Sequence, residues 1–242
     1  MIGFIIYNII NSAGDFGGLV VAGIVILGAA IIGLLISYNS SKKRIMRELK
    51  KSPAKPINSV KDNEVVRLHG KAKFLDLPLT APLSGRKCMY YYVRVEQKGD
   101  KNSWRKIADE FERQDFYVQV GNELALVKQQ ATHRILHHLM ADHESRSGWK
   151  QDANPKMEAF LAKHGKRSTT MLFDMNKTLR YKEAIIEEDE VIVVKGVAKW
   201  KALEQPIKGF SYSRILTLSS SQTEKLIITD DPKALKILPE KF

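Results

Sequence analysis

Glu64–Phe74 reads EVVRLHGKAKF and Glu190–Trp200 reads EVIVVKGVAKW. The two segments align without a gap at an offset of 126 residues, with Glu, Val, Gly, Ala, Lys and a terminal aromatic in register. Each partly alternates apolar and polar side chains around an internal glycine, the pattern of a strand with a bend or bulge. Each then runs into a Pro/Gly loop, Pro78 to Gly85 and Pro206 to Gly209. An echo of this kind points to two related β units. Neither unit can cover both its faces alone, so the two are expected to pack into one β-rich domain.

Working outward, Cys88–Gln97 (CMYYYVRVEQ) is aromatic and β-branched, hence a strand. GDKNS at 99–103 is a turn, Trp104–Val120 is expected as one strand, and Gly121-Asn122 joins it to Leu124–Val127. Strands are also expected over 178–186, 190–200, 211–219 and 225–229. Between about 128 and 165 the period changes. Ile135, Leu136, Leu139 and Met140 fall at helical spacing, and Met157, Phe160 and Leu161 mark a second helix. Asn154 is its expected N-cap, Pro155 its first residue and Gly165 its terminator. The fold class is therefore α+β and β-rich: a mainly antiparallel, barrel-like sheet domain over 59–236 with a two-helix insertion.

Ahead of this domain, residues 16–38 (FGGLVVAGIVILGAAIIGLLISY) run 23 residues without a charge, and twelve are Leu, Ile or Val. That length crosses a hydrocarbon core of about 30 Å, so a transmembrane helix is expected. Seven basic residues and one acid follow within 42–55, and they supply half of the chain's net charge of +12. The positive-inside rule then places residues 1–15 outside the cell membrane and the domain in the cytoplasm. The basic cluster follows the apolar run, so a retained single-pass anchor is expected rather than a cleaved signal. The apolar patch 2–10 is too short to span and fits the interface. Residues 39–58 read as a basic juxtamembrane helix and a Pro-broken linker, and 237–242 as a tail. Lys42, Lys43, Arg44, Arg47, Lys50 and Lys51 are the expected contacts to anionic lipid headgroups. The pairs Gly18/Ala22 and Ala29/Gly33 permit a homo-oligomer through the span. The remaining charge is mixed in sign along the strands, which disfavours nucleic acid as a partner.

Pro78–Tyr91 (PLTAPLSGRKCMYY) resembles the signature loop and strand of the GIDE domain, also called BAM, "beside a membrane". WRKIADE at 104–110 and LRYKE at 179–183 resemble two further strands of that family, and the likeness extends over about 60–230. Pro82, Ser84, Gly85, Arg86 and Cys88 carry the motif. Eukaryotic members of the family are RING-type E3 ubiquitin ligases of mitochondrial and chloroplast outer membranes. A RING needs two zinc sites built from Cys and His, and Cys88 is the only cysteine here. The resemblance therefore implies a RING-less, prokaryotic-type member: a scaffold or binding module with an unidentified protein partner. It also leaves open a component of a ubiquitin-ligase-like system.

Read for chemistry, the chain offers little. His133 and His137 are spaced i, i+4 as on a zinc-binding helix, and His143 lies near, but the HExxH glutamate is missing. These histidines are weighed against an ordinary solvated helix, and a metal-dependent enzyme is the alternative they leave. Ser84 lacks the first glycine of a nucleophile elbow. Cys88 opens an apolar strand as a small hydrophobe. No dinucleotide fingerprint or phosphate-cradling loop is present, so no cofactor and no catalytic residue is expected.

Overall fold

Strand β1 (Val65–Phe74) pairs antiparallel with β11 (Val191–Ala202) over Val65–Lys71, then passes to β6 (Phe116–Val120) over Lys71–Phe74. This is a computed structural model, and it describes residues 21–29, 41–129, 134–149, 151–170, 175–203, 207, 210 and 213–236. Gly70 sits at the hand-over. A Cβ there would overlap the carbonyl oxygen of Gln119, so only glycine lets the two backbones approach. Strand β6 turns at Gly121 (φ +59°) into β7 (Glu123–Val127). Strand β7 then lies parallel to β12 (Arg214–Ser219), which pairs antiparallel with β11. The ring β1–β6–β7–β12–β11–β1 is closed. Its order, with the third and fifth strands in parallel, is that of an OB-type Greek-key barrel.

The two echoing segments are neighbours in this barrel, with Leu68 opposite Val194 at the centre of the pairing. Their hydrogen bonds repeat at the same offset. Ala72 N donates to Glu190 O and Ala198 N to Glu64 O, while Asp189 N donates to Ala72 O and Asn63 N to Ala198 O. Asn63 and Asp189, equivalent again, both sit at positive φ (62° and 64°). The even-numbered residues Val66, Leu68, Ala72, Ile192, Val194 and Ala198 fill the barrel with Phe116, Val118, Leu216 and Leu218. Each such side chain contributes about 1.5–3 kcal/mol by leaving water.

Two insertions into the barrel build a second sheet. The β1–β6 connection holds the short pair β2 (Leu79–Thr80) and β3 (Lys87–Cys88), then β4 (Tyr90–Lys98) and β5 (Trp104–Arg113). The β7–β11 connection holds β8 (Ile135–His138), β9 (His143–Ser147), helix α2 (Pro155–Lys163) and β10 (Leu179–Ile186). The antiparallel sheet runs β5-β4-β10-β9. On one face Tyr91, Val93, Val95, Leu179, Tyr181 and Ile185 pack against Met157, Phe160 and Leu161 of α2. The Asn154 side chain accepts from Met157 N, and Gly165 (φ +64°) ends the helix, as the sequence anticipates.

Two expectations change. Residues 135–138 are not a helix but a strand, parallel to β13 (Leu226–Thr229), which itself pairs with β11; among its described residues the insertion holds one helix. A partner some 90 residues away overrides the helical spacing of Ile135, Leu136 and Leu139. Trp104–Val120 is two strands, because β5 belongs to the inserted sheet and β6 to the barrel. The chain crosses between them at Gln114-Asp115, both buried, where Gln114 N donates to Met89 O and Asp115 Oδ1 accepts from Gln129 N.

The chain divides into two units, 1–48 and 49–242. In the first, residues 21–29 are helical. The rest of the apolar run 16–38 lies outside the described residues, as do 1–15 and the tail 237–242. Among the described residues no helix is long and apolar enough to cross a membrane. Helix α1 (Ser41–Lys51) carries the basic cluster, and Ile45 and Leu49 form its buried side. The last helix, α3 (Pro232–Leu235), is capped by Asp231.

Candidate functional site

Where the barrel meets the inserted sheet, the crossing chain is tied by buried hydrogen bonds, while Gln114 Nε2 is buried without a partner among the described residues. Gln129 is fully buried; its Nε2 donates to Gln114 O (2.6 Å) and its Oε1 lies 2.8 Å from His137 Nε2. That bond assigns the proton of His137 to Nε2. The His137 ring stacks on Tyr90, centroids 4.1 Å apart. Burial, with a smaller effect from Arg113, pushes His137 down to about 3, so it is neutral at physiological pH.

This stacked pair floors a cleft of about 240 Å³. Tyr90, Tyr92 and Arg94 of β4 form one wall, Lys182 and Ala184 of β10 the next, and His138, Leu139 and Ala141 the third. Arg94 Nε donates to Tyr92 Oη (2.8 Å), and its guanidinium carbon stands 5.4 Å from the centre of that ring. Tyr92 Oη in turn donates to Asp109 Oδ2 (3.4 Å). Lys182 Nζ is 3.7 Å from Glu144 Oε2 at the rim. Arg94 and Lys182 are direct cross-strand partners. Like charges facing each other weaken a sheet. The cleft thus sets Arg94 over the Tyr92 ring with Lys182 across the strand pair, an arrangement suited to a carboxylate or an acidic aromatic segment. His138 is held 3.2 Å from Asp231.

The motif loop has a different task. Gly85 takes φ +78° and closes the β2–β3 turn, where Gly85 N donates to Ala81 O. Glu183 on β10 is fully buried; its carboxylate accepts from Leu83 N (2.7 Å) and Ser84 N (2.9 Å). Lys156 Nζ of α2 donates to Ser84 O (2.8 Å). Arg86 forms a two-pronged ion pair with Glu187, which holds the guanidinium above its usual range. Pro82 lies within this turn, between the buried Ala81 and Leu83. Cys88 is buried and pushed up to about 12, which makes it an inert apolar side chain. The loop is a clasp joining sheet and helix. Its organiser, Glu183, has a readable signal: it occupies the core-facing parity of LRYKEAII, between Tyr181 and Ile185.

The histidine set does not assemble as its spacing suggests. His133 lies outside the described residues, His137 is in β8 stacked on Tyr90, and His143 is in β9 opposite Glu183. The helix that would have aligned them is absent, and the described residues contain no group of three or more His, Cys, Asp or Glu able to hold a metal. Lys43, Arg44, Lys50 and Lys51 are exposed on α1, with Lys42 and Arg47 half-buried. The cleft residues Tyr92, Arg94 and Lys182 were not legible as a site, because β4 and β10 are brought together from 90 residues apart.

Comparisons of the chain with protein-family models, with curated proteins and with solved structures gave no match.

Proposed function

We propose that this chain is a membrane-anchored, non-catalytic protein-binding module of the GIDE type, which takes an acidic, aromatic-bearing segment of a partner protein into the cleft between barrel and inserted sheet. The observation that carries the reading is the cross-strand pair Arg94 and Lys182 in a cleft lined by Tyr90 and Tyr92, with Arg94 over the Tyr92 ring. A sheet that keeps two like charges opposite each other, at a concave site, breaks a local rule where a ligand would repair it. The anchor follows from the uncharged run 16–38 and the basic α1 behind it. An anchored module meets other membrane proteins at raised effective concentration. Ligase activity would need a RING that the single buried cysteine cannot build.

A fluorescence-anisotropy titration of the full chain in micelles tests the cleft. The probes are a labelled tyrosine-capped tri-glutamate peptide and its tri-lysine counterpart. The acidic probe should bind, and Arg94→Glu/Lys182→Glu should weaken it by roughly a hundredfold. Equal affinity for both probes, or no effect of the double reversal, would reject the cleft as the binding site.

A further inference from the structure

The end of the inserted sheet opposite the motif clasp brings together three loops that are far apart in sequence. Lys98 pairs with Trp104, Gln97 with Leu179, and Leu179 with Ser147. The β4–β5 turn, the β9–α2 connection and the α2–β10 connection therefore emerge side by side. Their contacts confirm it: Lys98 N donates to Thr178 O (2.9 Å), Asn176 Nδ2 to Asp152 Oδ1 (2.6 Å) and Lys177 N to Ser168 O (2.7 Å).

Two features coincide on this end. First, Trp149 on the β9–α2 connection is 88% exposed and Met175 on the α2–β10 connection 60% exposed, among the largest apolar exposures of the second unit. Second, the described residues of 98–106, 146–152 and 163–177 hold nine lysines and arginines against two aspartates. Lys106, Arg146 and Lys163 pair with Asp109, Glu144 and Glu110. Lys98, Arg105, Lys166 and Arg167 are exposed and have no ion pair among the described residues. In sequence this charge looks dispersed along strands; the sheet register gathers it. Its +7 and the +6 of segment 42–55 together slightly exceed the chain's net charge of +12, so the rest of the chain is close to neutral.

We propose that this loop end docks on anionic phospholipid headgroups, with Trp149 and Met175 entering the interfacial layer and the surrounding lysine and arginine side chains contacting lipid phosphates. An indole is most stable at the depth where an apolar ring meets a hydrated headgroup. An exposed tryptophan and an exposed, unbranched thioether on the same end supply apolar surface for that layer. Basic side chains near a negatively charged leaflet each add attraction that salt screens. The inference does not rest on the cleft or on the reading of residues 16–38. It concerns only what the loop end touches.

The test uses the full chain in lipid nanodiscs containing brominated phosphatidylcholine, with and without phosphatidylserine. The emission lost on Trp149→Phe defines the signal of Trp149; Trp200, away from this end and bonded to Val60 O, remains as the internal reference. The expected result is bromolipid quenching of the Trp149 signal in anionic discs, little in neutral discs, and loss of quenching in Lys166→Glu/Arg167→Glu at low salt. Circular dichroism of that variant checks that the fold is kept. Absent quenching in anionic discs, equal quenching in neutral ones, or indifference to the charge reversal would overturn the proposal. So would quenching by a single-stranded oligonucleotide where bromolipid has none, which would assign the surface to nucleic acid.

Discussion

Gly70, Glu183 and Glu190 show how single residues set the limits of this structure. Gly70→Ala would drive a methyl group into the Gln119 carbonyl, and neither barrel strand can retreat without opening the ring. The expected loss is about 3 kcal/mol or more, read as a lower urea midpoint. Gly121→Ala, at a positive φ with open space around it, should cost only about 1–2 kcal/mol. Glu183→Ala would orphan two backbone N–H groups and cost about 2–5 kcal/mol, while Glu183→Gln, which keeps one acceptor, should cost less. Glu190 makes a prediction about pH. Burial, with Asp230, Asp142 and Glu187 nearby, pushes it up to about 7. Its folded form holds the proton more tightly than the unfolded chain does. The stability it contributes is therefore full below about pH 4.5 and is lost as pH rises to 7. Glu190→Gln keeps the acceptor for Glu187 N. It should raise Tm at pH 8 by roughly 3 °C or more and leave Tm unchanged at pH 4.5. His137 works in the opposite direction: held near 3, it contributes stability above pH 6.5 that is lost as pH falls below it.

At the scale of elements, what was legible in the sequence followed local chemistry. Asn154, Pro155 and Gly165 delimit α2 because a cap, a fixed φ and a left-handed stop act within one turn of the helix. Asn154→Ala should cost about 1 kcal/mol, measured by urea denaturation. Glycine positions in the echo mark where β1 and β11 pass from one partner strand to the next, and a Cβ at either would crowd a neighbouring backbone oxygen. What was not legible depended on distant partners. Strand β8 exists because β13 offers an edge, and nothing in Ile135–His138 itself separates a short apolar strand from a helical turn. The split between β5 and β6 was hidden because Gln114 and Asp115 are polar yet buried, and their partners Met89 and Gln129 come from connections distant in sequence. The cleft was hidden for the same reason: Arg94 and Lys182 become neighbours only through the β4–β10 pairing.

At the scale of the whole molecule, the 126-residue echo is the clearest link from sequence to architecture. Its two copies pair across a local two-fold axis, with matching hydrogen bonds at Ala72 and Ala198. Each copy is then followed by different material: a long insertion after β1, and after β11 a short connection to β12. The barrel is thus symmetric where β1 pairs with β11 and asymmetric in its connections, and the inserted sheet and the clasp come from the β1–β6 and β7–β11 connections. The proposed anchor makes a separate prediction. Alkaline carbonate should leave the full chain in the membrane pellet, and deletion of residues 16–38 should release it. Recovery of the full chain in the carbonate supernatant would remove the anchor from the proposal.

The most direct test of a membrane-held binding module is photo-crosslinking in native membranes from a benzophenone amino acid placed at Tyr92. A discrete protein adduct, lost when Arg94 and Lys182 are both changed to glutamate and weakened by high salt, is the expected result. An adduct that survives the charge reversal, or no adduct at all while the protein remains folded and membrane-bound, would contradict it.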